Sequence, residues 1–198
     1  MNFKQRLTAL FVLFMVVTWV YPLHPYEQLM HSSLTFVGLL VIWRLNTKCT
    51  MKNFDFSLII IFLVAHTIGA RWLYSFVPYN DWFYYISSIN LNELFDLSRN
   101  HYDRFVHLLY GLLLTPAIVS QLECRYNTTK IHSFVLTVGI VVVSSVVYEW
   151  TEWLVALGLT AADAESYNGQ QGDIWDAHKD MLLATIGSLV WYFKYRKD

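Results

Sequence analysis

Charged residues are scarce in this chain of 198 residues. Lys, Arg, Asp and Glu make up 15% of it and hydrophobic residues 56%, whereas a soluble globular domain usually carries about 25% charged residues. The composition therefore excludes an ordinary soluble domain and indicates a protein that lies in a membrane. The formal net charge is -1. Without a basic surplus, we expect no nucleic-acid partner.

Cysteine is also rare, since the chain contains only Cys49 and Cys124. Neither belongs to a Cys-x-x-Cys pair, and the orientation argued below puts both at the cytoplasmic ends of helices, where thiols stay reduced. We therefore expect neither a disulfide framework nor a zinc-thiolate site. The sequence also lacks a Gly-x-Ser-x-Gly or His-Glu-x-x-His motif, so no local pattern names a reaction.

Long apolar runs dominate what is present. In a bilayer each segment must satisfy its own backbone hydrogen bonds, so such runs form helices, and one span needs about 20 residues. We predict an all-α polytopic membrane helix bundle with about six transmembrane helices, forming a single transmembrane domain over residues 1–198. The predicted helices cover residues 7–21, 27–43, 56–76, 101–122, 131–157 and 173–195.

Residues 77–98 form a long connection that is rich in aromatic residues. Trp and Tyr favour the membrane–water interface, and long connections are often functional lids. We therefore expect this segment to be interfacial or to act as a lid.

Basic residues lie mostly on one side of the predicted membrane. Under the positive-inside rule, both termini and the two short basic loops lie in the cytoplasm. Only Asp55, Glu123 and Asp198 are acids on that side, so most acids lie toward the other face. The ten basic residues on the cytoplasmic side are Lys4, Arg6, Arg44, Lys48, Lys52, Arg125, Lys130, Lys194, Arg196 and Lys197.

The fourth predicted helix opens with Asp103 and His107, which are four residues apart and share one helix face. Two side chains of one helix can grip one metal ion at this spacing. The alternative is an Asp that begins the helix and a His bonded to it. In the third helix, His66 is either a further ligand or a packing residue bonded to a neighbouring helix.

The fifth predicted helix ends with Glu149 and Glu152, which again share one face. An apolar stretch over residues 134–147 precedes them, so Glu149 is expected below the headgroups, where an unpaired carboxylate costs ~2.5–3.5 kcal/mol on insertion scales. The alternatives are a catalytic carboxylate and a carboxylate paired with Arg104 or Arg71.

The sixth predicted helix carries Asp173, Asp176 and Asp180 on one stripe. Acids suit the positive end of a helix dipole, and Asp173 is a natural N-cap. Capping does not explain Asp180, which lies two turns into the helix.

The predicted topology places all these polar residues at similar depth, toward the non-cytoplasmic face. The acids cannot all be ionised together without cations. Basic side chains, a divalent metal such as Mn, Fe or Zn, or protonation are three ways to resolve this. We predict the metal ligands to be His66, Asp103, His107, Asp176 and Asp180. The predicted catalytic residues are Glu149 and Glu152, and the predicted binding residues are Arg71, Arg104, Asp173 and Lys179.

Four strings of the sequence, HTIGARWLY, RNHYDRFVHLLYG, YEWTEW and GQQGDIWDAHKDM, resemble the YjdF family of bacterial inner-membrane proteins. More remotely, the chain is similar to the VanZ-like group in Asp103 with His107, in Glu149, and in Asp176 with Asp180. The VanZ-like proteins usually carry Asn at the position of Asp180. The resemblance implies a location in a bacterial inner membrane and supplies no reaction.

Three functions fit this pattern. The first is a membrane enzyme, with or without a metal, that acts on a lipid or cell-envelope substrate. The second is a proton- or cation-coupled transporter, which would need polar residues that reach the cytoplasmic face. The third is a structural or partner-binding membrane protein whose buried ion pairs specify helix packing. The bilayer itself is the one partner that all three share.

Overall fold

The computed structural model describes residues 1–196, so Lys197 and Asp198 lie outside the described residues. The described chain is a bundle of α-helices, which confirms the predicted all-α polytopic bundle. The helices are α1 (Phe3–Thr18), α2 (Pro25–Lys48), α3 (Asn53–Arg71), α4 (Tyr79–Ser87), α5 (Leu91–Leu94), α6 (Tyr102–Tyr126), α7 (Lys130–Ala156), α8 (Ala161–Asn168), α9 (Asp176–Leu189) and α10 (Tyr192–Tyr195).

Four helices, α2, α3, α6 and α7, are each long and apolar enough to cross a membrane. The sequence predicted about six. Helix α1 has 16 residues and α9 has 14, and 14 residues extend only about 21 Å at 1.5 Å per residue. That is less than the roughly 30 Å of a hydrocarbon core, so six spans stay a prediction.

Helix α6 lies at the centre of the bundle. It packs against α3, α7 and α9, while α1 and α2 pack against α3. Four long helices therefore follow one another in space in the order α2, α3, α6, α7. The main apolar core lies at the meeting of α1, α2, α3 and α6, and it is formed by Phe11, Met15, Leu39, Met51, Phe56, Ile59, Ile60, Leu63 and Ala117.

Helices α6 and α9 approach each other closely through glycine. A Cβ added at Gly111 would collide with the carbonyl oxygen of Ala184, and one at Gly187 would collide with that of Leu108. Small residues at such crossings let backbones pack closely in membranes. The hydroxyl of Thr115 donates to that of Ser188 across the same contact, at 2.7 Å. This crossing holds the second half of α9 against the middle of α6.

Pro116 lies inside α6 and has no N–H to donate to the carbonyl of Leu112, one turn earlier. The indole N–H of Trp191 donates to that carbonyl instead, at 2.7 Å. A freed backbone group at membrane depth needs such a partner, and Trp191 therefore ties the end of α9 to the middle of α6.

Cys49 and Cys124 form a disulfide, with their Cα atoms 6.2 Å apart, so the prediction that neither cysteine takes part in one is wrong. Cys49 follows α2, and Cys124 lies in the last turn of α6. The side chain of Gln121 donates to the Cys49 carbonyl at 2.8 Å, and Arg125 donates to the Leu45 carbonyl at 3.0 Å. Packing between distant segments brings the two sulfurs together, and local sequence carries no sign of it.

The aromatic connection contains the short helices α4 and α5 rather than open loop. Several of its large apolar side chains are exposed, among them Trp82, Tyr85, Ile86 and Phe95. Aromatic side chains in this setting suit a membrane–water interface, so the interfacial role stays a prediction that the exposed surface supports.

Candidate functional site

Three predicted ligands meet at the start of α6 and α9. One ligand atom from each of Asp103, His107 and Asp180 lies within 4.8 Å of the other two, and all three residues are buried. His107 Nε2 is 3.7 Å from Asp103 Oδ1, which is too long for a good hydrogen bond. The close crossing at Gly111 and Gly187 holds the two helices at the separation that makes this grouping possible.

Two carboxylate oxygens near this group have no hydrogen-bond partner within the part of the chain that the structure describes. They are Oδ1 of Asp180 and Oε1 of Glu149, and both are buried. A buried charged oxygen without a partner is costly, and buried polar groups are nearly always hydrogen-bonded. Both oxygens are therefore free to bind a cation or a proton.

The two predicted catalytic glutamates lie on the α7 side of this group. Glu149 Oε1 is 3.6 Å from His107 Nε2, and the Glu149 side chain is 11% exposed. Glu152 is buried and hydrogen-bonds to Tyr148. Glu149 therefore faces the Asp103, His107 and Asp180 group, and neither glutamate pairs with Arg71 or Arg104 among the ion pairs of the described residues.

Asp176 lies in a buried ion-pair network rather than in the group of three. Arg99 donates to its two oxygens at 2.7 and 3.2 Å, and Arg104 donates at 2.9 Å. Arg99 also donates to the carbonyls of Gly169 and Gln170. These contacts bind the segment before α6 to the segment before α9, and they compensate the charge of Asp176 without a metal.

Asp173 precedes α9, which begins three residues after the predicted N-cap. Lys179 donates to Asp173 at 2.5 Å, and Arg104 donates to the same oxygen. The hydrogen bond from Lys179, followed by those from the Trp175 backbone and Arg104, holds the pKa of Asp173 well below its usual value. Asp173, Arg104 and Lys179 therefore form the polar rim of the site.

His66 makes protein contacts with both ring nitrogens. Nδ1 is 2.5 Å from the Tyr74 hydroxyl, and Nε2 is 3.4 Å from the His31 carbonyl. The Tyr74 hydroxyl donates to Nδ1 when Nε2 carries the proton that it donates to the His31 carbonyl. Since both nitrogens of His66 are in use, we leave it out of the proposed metal set.

Arg71 lies apart from the acids. It donates to the carbonyls of Thr18, Val20 and Tyr21 and stacks on Trp72. Its contacts satisfy the end of α1, so the structure places it outside the site for which it was predicted.

Sequence reasoning missed Arg99, Tyr74 and His31. His31 is fully buried, its ring stacks on Tyr167 with centroids 4.8 Å apart, and neither ring nitrogen has a hydrogen-bond partner among the described residues. A signal was present for His31, because Gln28, Ser32 and Thr35 are buried beside it on one face of α2. A polar stripe at helical spacing in an otherwise apolar segment marks a face that packs inward.

The comparisons with known proteins agree with this membrane architecture. The family model described as "Predicted membrane protein (DUF2238)" matches residues 3–197. The inner membrane protein YjdF of Escherichia coli (strain K12) is 29% identical over 137 residues, which cover 68% of this chain and 60% of that protein. The match thus spans about 60% of the relative's length.

No solved structure matches the chain significantly. The predicted resemblance to the YjdF family is confirmed, and the remote likeness to the VanZ-like group stays a prediction. Because the family match extends over nearly the whole chain, this membrane protein belongs to the DUF2238 family, and it is similar to the Escherichia coli inner membrane protein YjdF.

Proposed function

We propose that this chain is a metal-dependent membrane enzyme that acts on a lipid or cell-envelope substrate. The observation that carries the proposal is the buried group of Asp103, His107 and Asp180, whose ligand atoms lie within 4.8 Å of one another. Asp180 adds an oxygen that is unpaired among the described residues. Three protein ligands leave coordination positions for water and substrate, as catalytic metal sites require.

The donor set indicates which metals fit. One imidazole and two carboxylates suit Mn, Fe or Zn, and a single divalent cation would offset the buried carboxylates that lack a basic partner. Asp176 needs no such cation because Arg99 and Arg104 already neutralise it. The proposed metal set is therefore Asp103, His107 and Asp180.

Glu149 is the proposed general base. A bound divalent metal supplies Lewis acidity and lowers the pKa of a coordinated water. Glu149 Oε1 lies 3.6 Å from His107 Nε2 and has no hydrogen-bond partner among the described residues, so it would be free to take a proton from such a water. Arg99 and Arg104 act as positioning residues, since they hold the start of α9 on the start of α6.

Removal of the base tests this function. The protein is reconstituted in vesicles of total envelope lipid, and products are followed by mass spectrometry with Mn, Fe or Zn and with a chelator. We expect metal-dependent product formation that falls by at least ~100-fold in Glu149→Gln, the usual contribution of a general base, while bound metal is retained. Glu123→Gln, at the far end of α6, is the matched control and should keep the wild-type rate. Turnover that is indifferent to chelator and to Glu149→Gln would exclude the proposed chemistry.

We also propose that the site faces away from the cytoplasm and that both termini are cytoplasmic. The distribution of Lys and Arg supports this orientation. The Cys49–Cys124 disulfide lies at the basic end of the bundle and favours the opposite orientation, because disulfides persist in oxidising compartments.

Quenched thiol alkylation in intact cells distinguishes the two orientations. A cytoplasmic basic end predicts that Cys49 and Cys124, although close enough to bond, are kept as thiols in the cell, and that a reporter fused to the C-terminus is active only in the cytoplasm. A trapped disulfide together with an external reporter signal would reverse the orientation.

A further inference from the structure

A cavity of about 640 Å³ runs between α2, α3, α6 and α7. That volume lies within the usual range of small-molecule sites. One end of the cavity is formed by Asp103, His107, His66, Tyr74 and Tyr148, and thus includes two of the three proposed metal ligands. We call it the lateral cavity.

The middle of the lateral cavity is apolar. Its walls there include Leu114, Ala117 and Ile118 of α6 and Ile42 of α2. The hydroxyls of Tyr110 and Ser144, which hydrogen-bond to each other, lie between this apolar part and the polar end. From His107 to Gln121, at the far end, α6 advances about 21 Å at 1.5 Å per residue. An acyl chain of one leaflet occupies half of the roughly 30 Å hydrocarbon core. The length of the cavity exceeds that depth. An apolar lining of this length suits a hydrocarbon chain and disfavours an ion path.

The lateral cavity opens toward the bilayer between α2 and α7. These helices stand at the two ends of the row α2, α3, α6, α7, and no extended packing joins them within the described part of the chain. Leu34 and Val41 of α2 and Ile140 of α7 line the cavity, yet they are 42%, 50% and 42% exposed. Residues that line the cavity and are also exposed mark its opening. In a membrane, this opening faces the lipid acyl chains.

We propose that the lateral cavity binds one acyl chain of a bilayer phospholipid and presents its headgroup to Asp103, His107 and Asp180. The binding of the acyl chain is inferred from the lateral cavity alone. The headgroup part rests on the proposed function, because phosphate oxygens need the cation to approach two carboxylates. The substrate class of the site is then an intact phospholipid, which enters from the bilayer between α2 and α7.

Two glycines supply a matched pair of variants. Gly38 of α2 lines the lateral cavity, and Gly139 of α7 is exposed and does not line it. Neither would bring an added Cβ within 4 Å of another group outside its own helix turn. Gly38→Phe therefore fills the cavity, whereas Gly139→Phe adds the same side chain on the lipid-facing surface.

The test is photo-crosslinking in vesicles that contain a phosphatidic acid with a diazirine at mid-chain. We expect adducts on cavity residues such as Leu114, Ala117 and Ile118, reduced by about ten-fold in Gly38→Phe, which corresponds to roughly 1.4 kcal/mol of binding, and unchanged in Gly139→Phe. Adducts confined to outward residues such as Leu40 and Val143, or cavity adducts that persist in Gly38→Phe, would overturn the proposal.

The Asp180→Asn variant separates this proposal from the metal-dependent function. Chain binding predicts that the cavity adducts survive in Asp180→Asn even when metal is absent. If metal never binds but the adducts form, the proposed enzyme function fails and the chain site stands. If metal binds and the adducts are missing, the lateral cavity does not hold the substrate chain.

Discussion

Asp173 links the polar rim to the acid stability of the protein. Its pKa is held below the usual value chiefly by the hydrogen bond from Lys179. A carboxyl whose pKa is lower in the folded state contributes stability above its unfolded pKa of about 3.9. That contribution is lost as the pH falls toward the folded pKa.

We predict that the thermal midpoint of the wild type falls more steeply below about pH 4 than that of Asp173→Asn, measured by tryptophan fluorescence in detergent. At neutral pH the variant should be the less stable of the two. Asp96→Asn changes an exposed acid in the turn after α5. Its thermal midpoint should fall at acid pH as steeply as that of the wild type. If the thermal midpoints of wild type and Asp173→Asn fell equally steeply at acid pH, Asp173 would not be a source of the pH dependence.

Single residues differ in how far the sequence reveals them. The spacing of Asp103 and His107 and the depth of Asp180 in its helix predicted three side chains that the structure brings together. Asp176 shares the same stripe, yet it pairs with Arg104 and with Arg99. Arg99 precedes α6 and has no periodic relation to the stripe on α9. Periodicity identifies residues that share a face, whereas the partner across the bundle depends on which helices pack.

At the scale of elements, the crossing of α6 and α9 positions the site. Because a Cβ at Gly111 or Gly187 would collide with backbone of the facing helix, neither Gly111→Ala nor Gly187→Ala can be absorbed by a side-chain rotation. We predict that each lowers stability by about 1–3 kcal/mol, the usual cost of overpacking, measured by unfolding in mixed micelles.

Gly139→Ala is the control for this crossing. It lies in open surroundings and, as a helical Gly→Ala change, should be neutral or stabilising by up to about 1 kcal/mol. Equal effects of Gly139→Ala and Gly111→Ala would mean that the crossing is not tightly packed.

Hydrophobic runs predicted the four long helices, because a span in a bilayer needs length and apolar composition and little else. The same reasoning gave the last helix too early a start, at residue 173 rather than Asp176. It also missed the helices of the aromatic connection and the Cys49–Cys124 bond. These features depend on contacts between segments that are far apart in the chain.

At the scale of the whole molecule, the polar groups lie toward one end of an apolar bundle, and the lateral cavity connects them to the surrounding lipid. The predicted topology puts ten of the 14 basic residues at the other end. Under the proposed function, this arrangement would give the buried site access to the membrane through an apolar passage. The sequence predicted the polar end from topology, but the cavity follows from the way α2 and α7 stand apart.

Metal content is the measurement to make first. The protein is purified in mild detergent without chelator, and Mn, Fe and Zn are determined by elemental analysis for wild type, Asp180→Asn and Asp55→Asn. Asp55 is a buried acid on α3 that accepts from Ser120, so it controls for the loss of any buried charge. We predict about one divalent metal per chain in wild type and Asp55→Asn, and none in Asp180→Asn. Wild type that binds none of the three metals after reconstitution, or Asp180→Asn with unchanged content, would contradict the metal site.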